Sequence, residues 1–203
     1  MKKNLMIGFV LSALIVLAAC GAKVRYPNYY TLNVPAPPDP PVPESVHASL
    51  AVRQFRSPTY LRQGAIVYKS SPEQIGFYNY HRWAVDPREF VTNAVADRLR
   101  ASGNFTQVKP YDGRSDIDYV LSGRLEKLEE IDYEGGIKVE VAISAQMVSL
   151  ATGATVWTNS VSEVGSVDKR DVPAVVSEMN RTMERAIEKL LTPAPASVAV
   201  KGN

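Results

Sequence analysis

Few side chains in these 203 residues have the types and spacing that chemistry needs. Cys20 is the only cysteine, and it follows Leu17-Ala18-Ala19 directly. A thiolate can act as a nucleophile or a metal ligand, yet no histidine or carboxylate stands near it in the sequence to activate it or to share a metal. The two histidines, His47 and His81, lie in different segments. A metal site or a Ser-His pair built on them would have to be assembled from distant parts. Glu129, Glu130, Asp132 and Glu134 form an acidic run that lacks the ligand spacing of a calcium loop, and it reads as a solvated strand end and turn. There is no G-x-S-x-G elbow, no phosphate loop ending in Gly-Lys-Ser/Thr, no G-x-G-x-x-G and no H-E-x-x-H. No catalytic, cofactor-binding or metal-binding residue is assigned, and the sequence argues against an enzyme.

What Cys20 does is decided by what precedes it. Lys2 and Lys3 give a short positive start, and Leu5 through Leu17 is apolar apart from Gly8 and Ser12. As a helix that run would be about 20 Å long, short of the roughly 30 Å hydrocarbon core of a bilayer. It suits the apolar region of a secretory signal, with Ala18 and Ala19 as the small residues before a cut. Leu17-Ala18-Ala19-Cys20 resembles the bacterial lipobox, in which the cysteine is acylated and becomes the first residue of the mature protein. The alternatives are a plain secretory signal, which needs no cysteine at the cut, and an uncleaved anchor. A lone thiol in an oxidising compartment also invites stray pairing, which acylation prevents by consuming the sulfur. Residues 1–19 are therefore expected to be a signal peptide, and Cys20 the lipidation site. Gly21 stands where an aspartate would, by resemblance to sorting signals, suggest retention at the inner membrane, so delivery to the outer membrane, facing the periplasm, is the expectation.

Removing residues 1–19 takes Lys2 and Lys3 away and leaves 21 basic and 21 acidic side chains. A neutral domain gives no electrostatic case for nucleic acid. The remaining length fits one domain with an adequate core and no need for disulfides.

The elements follow from turn residues and periodicity. Half of the 14 prolines fall between Pro27 and Pro43, and the run over residues 35–43 favours extended polyproline II. It is either a stiff linker or an internal loop. Tyr29-Tyr30-Thr31-Leu32, before it, reads as a short strand. If that strand joins the sheet, the prolines are an internal loop, residues 20–28 are the lipidated tether, and the globular domain covers residues 29–192. Strands are expected at 49–55, 65–69, 75–80, 105–109, 118–131, 137–150 and 155–164. A break in the alternation at Leu128 suggests a bulge near Lys127. Asp86-Pro87-Arg88-Glu89 starts a helix, with Asp86 as cap, Pro87 in the first turn and Glu89 as a capping-box partner; Phe90, Ala94, Val95 and Leu99 follow, and Gly103 ends it. The last helix carries Val175, Met179, Met183, Ile187 and Leu190 on one side and Arg181, Glu184, Arg185, Glu188 and Lys189 on the other. Residues 193–203 are Pro- and Ala-rich and are expected to fray as a flexible tail. The predicted architecture is α+β in two layers, an antiparallel or mixed sheet with two helices packed on one face.

Tyr68, Phe77, Tyr78, Tyr80 and Trp83 place five aromatics within 16 residues. Alternation over 75–80 sets Ile75 and Phe77 against Tyr78 and Tyr80, so one set belongs to the core and the other is open to packing or to a partner. Tyr78, Tyr80 and Trp83 are the candidate partner-binding residues, because tyrosine and tryptophan anchor interfaces. Tyr29-Tyr30-Thr31-Leu32 shortly after the lipobox, then Pro58-Thr59-Tyr60-Leu61, Ile66-Val67-Tyr68, Trp83 and Pro87 opening a helix resemble, in that order and spacing, the ABC-type transport auxiliary lipoproteins. The resemblance covers nearly all of the chain beyond the lipobox. It implies a non-enzymatic accessory lipoprotein of a lipid-transport system with a permease, an ATPase and a periplasmic MCE-domain protein as partner. Self-association is expected too, because a bridging MCE assembly is a ring and a symmetric receiver would match it. A structural lipoprotein of another envelope assembly, such as a pilus or secretion machine, is the alternative.

Overall fold

The computed structural model describes residues 25–35, 48–113, 116–133 and 135–192. Cys20, the expected signal peptide, most of the Pro-rich loop and the tail lie outside the described residues. Eight strands form one mixed sheet: β1 (Asn28–Tyr30), β2 (Ser49–Val52), β3 (Ala65–Lys69), β4 (Ile75–Trp83), β5 (Gln107–Pro110), β6 (Tyr119–Ile131), β7 (Ile137–Ser149) and β8 (Thr155–Val167). The helices are α1 (Pro87–Ala101) and α2 (Val172–Leu190), and a short 3-10 turn spans Thr59–Gln63. The sheet with two helices is the α+β architecture that the periodicity predicts.

β6 is the strand that the others share. One edge pairs antiparallel with β7 from Tyr119↔Ser149 to Ile131↔Lys138. The other edge is divided: β2 runs parallel along Tyr119–Leu121, and β3 runs parallel along Glu130 and Ile131. Between them the chain after β2 stays on the same edge, with Arg56 N–H donating to Gly123 O at 2.9 Å and Leu125 N–H to Arg56 O at 2.9 Å. The predicted strand to Phe55 is thus regular only to Val52, and its tail still bonds to β6. The register shift between Leu125 and Lys127 is the predicted bulge; it returns Leu128 to the core, where it is fully buried. β4 and β8 each run three residues further than their alternation suggests, because β1 pairs with 81–83 and Ile137 pairs with Val167.

Both helices begin as their residues dictate. Asp86 accepts from the Arg88 N–H at 2.9 Å, and Asp171 from the Ala174 N–H at 2.7 Å, satisfying donors that a first turn leaves open. The Arg88 guanidinium also grips both Asp86 oxygens at 3.0 and 3.1 Å and holds that carboxyl below its usual range. The buried stripe of α1 is Val91, Val95, Ala96 and Leu99, with Phe90 and Ala94 at its margin. The stripe is rotated relative to the predicted one, so Val91 is core and Phe90 only half so.

α2 lies on β7 and β8 and buries Val175, Met179, Met183, Ile187 and Leu190, as its spacing predicts. Its other side is not all solvated. Glu178 is buried, and Arg181 Nε (2.7 Å), Arg185 Nη2 (3.2 Å) and the Thr182 hydroxyl (3.1 Å) donate to it. Burial works to raise its pKa, and those bonds overcome it and hold the group below the usual range. Gly165 of β8 makes the space: a Cβ there would stand 2.0 Å from Glu178 Oε1.

Gly123, in the middle of β6, has the buried Phe55 ring against it, 2.2 Å from where a Cβ would be. Gly123→Ala should therefore destabilise the fold by about 1–3 kcal/mol through overpacking. Ile187→Ala should cost about 2–5 kcal/mol, and the exposed Glu188→Ala no more than about 0.5 kcal/mol. Urea melts at one pH read all three; equal effects of the two helix variants would mean that α2 does not cover the meander.

Candidate functional site

Tyr78, Tyr80 and Trp83 share β4 but not one surface. Trp83 is 6 % exposed and belongs to the core, so it is not available to a partner. Tyr80 is 41 % exposed, with the Arg25 guanidinium 5.3 Å from its ring centre. Tyr78 is half-buried, and its hydroxyl donates to Glu130 Oε2 at 2.8 Å. Tyr78 and Tyr80 part at a register irregularity opposite Ala65–Val67, where β4 has extra residues between Phe77 and Arg82. Simple alternation, which puts Tyr78 and Tyr80 on one face, does not survive an irregularity.

Around Tyr78 four strands are tied together. Its ring centre is 5.1 Å from that of Tyr68 on β3 and 5.7 Å, edge-on, from that of His81. His81 Nδ1 lies 2.9 Å from the hydroxyl of Tyr30 on β1. His81 thus joins β1 to the Tyr78 cluster. β1 pairs parallel with β4, Tyr29 beside Arg82 and Tyr30 beside Trp83. Tyr30 turns inward, and Tyr29, at 63 % exposure, turns outward, as do Tyr26 and Tyr80. The exposed aromatic edge is therefore Tyr26, Tyr29 and Tyr80. The Tyr29-Tyr30 doublet held the missing signal, because consecutive strand residues point to opposite faces.

The acidic run is not a solvated strand end throughout. Glu129 and Glu130 are each 2 % exposed. Burial raises both above the carboxylate norm, offset in part by Lys69 and Lys127 near Glu129 and by the Tyr78 hydroxyl on Glu130. Burial, with Glu129 beside it, pushes Tyr60 up to about 12, so this phenol stays a donor at neutral pH. The alternation rule fails here because Tyr60 and Tyr78, from distant segments, each bring a hydroxyl to a buried carboxylate. Among the described residues no group of His, Cys, Asp and Glu could hold a metal ion, and no helix is long and apolar enough to cross a membrane.

A second feature has no counterpart in the sequence motifs. A groove of about 530 Å³ opens beside β6 and β7, lined by Arg53, Arg56, Arg124, Ser122, Ser144 and Gln146 among others. The Arg53 guanidinium stacks 4.1 Å from the Tyr111 ring centre, and Arg124 Nε donates to Glu126 at 2.7 Å. These residues come from stretches far apart in sequence, and only the pairing of 53–56 with β6 unites them.

Trp83→Ala should cost about 3–5 kcal/mol and Tyr80→Ala under about 1 kcal/mol in the same denaturant melt. The buried Glu130 predicts a pH effect. Its folded pKa lies above the ordinary value of 4.5, so its contribution is fully present below that pH and is lost as pH rises through the folded pKa. Glu130→Gln removes the titration. The variant should gain stability relative to the wild type between pH 4.5 and neutrality; a constant difference would show that Glu130 is not held above its norm.

The fold has close relatives in shape. A protein from Xanthomonas campestris of the family DUF330 superposes with a TM-score of 0.70 at 15 % identity, covering 86 % of this chain and 96 % of that one. An uncharacterized protein superposes at 0.65 and 15 % identity, covering 83 % and 99 %. The hypothetical protein CT253 of Chlamydia trachomatis does so at 0.50 and 7 % identity, covering 77 % and 100 %. No curated protein sequence matches. The model of the ABC-type transport auxiliary lipoprotein component matches residues 30–190, from the end of β1 to the end of α2, and the chain belongs to that family.

Proposed function

We propose that the chain is an outer-membrane lipoprotein, held by acyl chains on Cys20, that serves a lipid transporter built on a periplasmic MCE-domain protein. The family match over residues 30–190 is the observation that carries this reading, since it makes the chain an accessory of ABC-type transport. The Leu17-Ala18-Ala19-Cys20 sequence supplies the anchor, and Gly21 leaves the outer membrane as its destination. The domain works by docking and not by turnover. Its buried acids are engaged by hydroxyls and guanidiniums, and such groups hold a fold together instead of moving protons for a substrate. The docking edge is β1 with the neighbouring part of β4, where Tyr26, Tyr29 and Tyr80 are exposed beside Arg25. Tyrosines flanked by arginine are the side chains that anchor interfaces. β1 begins at Asn28, and the eight residues 21–28 extend at most about 28 Å, so this edge would stand close to the membrane.

The expected outcome is that mature protein carries several acyl chains on Cys20, since one chain gives only marginal binding, and that Cys20→Ser leaves an unanchored or unprocessed form. Mass spectrometry of the N-terminal peptide reads this, and an unmodified cysteine would sink the anchor. Tagged lipoprotein solubilised from the envelope should recover an MCE-domain protein, and light scattering should show an oligomer. Tyr29→Ala with Tyr80→Ala should weaken the recovery without unfolding the domain. A monomer that brings down only pilus or secretion components would replace the transporter with another envelope machine.

A further inference from the structure

The groove beside β6 and β7 is graded in polarity along its length. Register sets the order of its floor: Val120 beside Val148, then Ser122 beside Gln146, then Arg124 beside Ser144. At about 3.3 Å per residue the apolar pair and the cationic pair are about 13 Å apart. Leu150, an exposed hydrophobic, also lines the groove. Arg56 is bridged to Arg124 through the backbone, so two guanidiniums stand at the charged end, and Arg53 adds a third along the wall. No lining residue is acidic, in a chain of 23 basic and 21 acidic side chains. Arg124 has Glu126, and that carboxylate also accepts from Ser144 at 2.9 Å. No ion pair engages Arg53 or Arg56 among the described residues.

We propose that this groove binds the headgroup of an anionic glycerophospholipid, with its phosphate between Arg56 and Arg124 and the first carbons of its chains over Val120, Val148 and Leu150. A guanidinium matches phosphate oxygens two at a time, and Ser122 and Gln146 can donate to the glycerol and ester oxygens between. A free phosphate would use only the charged end and leave Val148 and Leu150 uncovered. The inference rests on the transport reading and extends it, giving this chain a contact with the cargo as well as with the machine.

The test titrates short-chain dihexanoyl phosphatidylglycerol, below its micelle concentration, into the full acylated lipoprotein in maltoside micelles. Arginine side-chain NMR signals report the site. Saturable shifts at Arg56 and Arg124 are expected, with dihexanoyl phosphatidylcholine and inorganic phosphate both weaker. Arg56→Gln with Arg124→Gln should weaken binding by about tenfold or more, the scale of one lost charge-assisted bond. Gln146→Glu, which keeps every arginine and puts a carboxylate in the middle of the floor, should do the same. Thermal melts check that these exposed substitutions leave the fold intact. Equal binding of phosphate would reduce the site to an oxyanion site, and equal binding by both variants would mean partition into the micelle; either result overturns the proposal. A lipoprotein that recovers the MCE-domain protein but shows no saturable shift loses the groove and keeps the transport reading. One that binds phosphatidylglycerol and recovers no transporter keeps the groove and loses the system.

Discussion

The hydrogen-bonded edges of β6 are the constraint on which everything else depends. One edge is given wholly to β7, and the other is divided between β2, the 53–56 segment and β3. A strand that pairs on both edges along 13 residues must satisfy two registers at once. The bulge between Leu125 and Lys127 reconciles them by shifting one half of the strand against β7. Gly123 does the same in space, because only a missing Cβ lets Phe55 cross the strand at that height. The core under both helices and the arginine groove use opposite faces of one stretch of this strand, around residues 120–125, and the aromatic cluster uses its far end at Glu130.

Packing against that frame is less uniform than an amphipathic helix suggests. α2 contributes a continuous apolar stripe, yet it also carries Glu178 and Thr182 to buried positions above Gly165. A buried carboxylate without partners would cost several kcal/mol. Here Arg181 and Arg185 reach it from solvent along their own stems, and Arg185 also stands 3.9 Å from Glu163 of β8. The same device recurs with hydroxyl donors at Glu129 and Glu130. The domain thus uses charged groups at the margins of its core in place of a wholly apolar seam.

How much of this was legible in the sequence follows the range of the interactions. The meander β6–β8, the helix start at Asp86 and the stripe of α2 come from local rules and read correctly, whereas the cap at Asp171 emerges only in the structure. The burial of Glu129 and Glu130 did not, because Tyr60 and Tyr78, which engage them, are about 50 or more residues away. Trp83 was grouped with Tyr78 and Tyr80 because such side chains anchor interfaces, but β4 extends to it and β1 pairs beside it, leaving it in the core. The groove was invisible for a similar reason: Arg53, Arg56 and Arg124 converge only because a short parallel bridge joins Arg56 to Arg124. Local periodicity carries no information about such encounters. Within the expected site, only Tyr80 kept its predicted exposure.

The divided edge of β6 also bears on how the chain is made. Every strand before it, β1 through β5, reaches the sheet directly or indirectly through residues 119–131. A polypeptide emerges N-terminus first, so more than half of this one is out before the strand that organises it appears. Until then β2 and β3 present apolar edges with no template, and parallel pairings at such separations close slowly. The hairpins β6–β7 and β7–β8, with α2 directly behind them, close within short loops and are the natural seed. The domain is therefore organised backwards relative to its own synthesis. Its N-terminal half can form the β3–β4 hairpin and α1 locally, but it has no sheet to join until β6 is made, and a chain without that sheet is one that can still be threaded through a narrow pore.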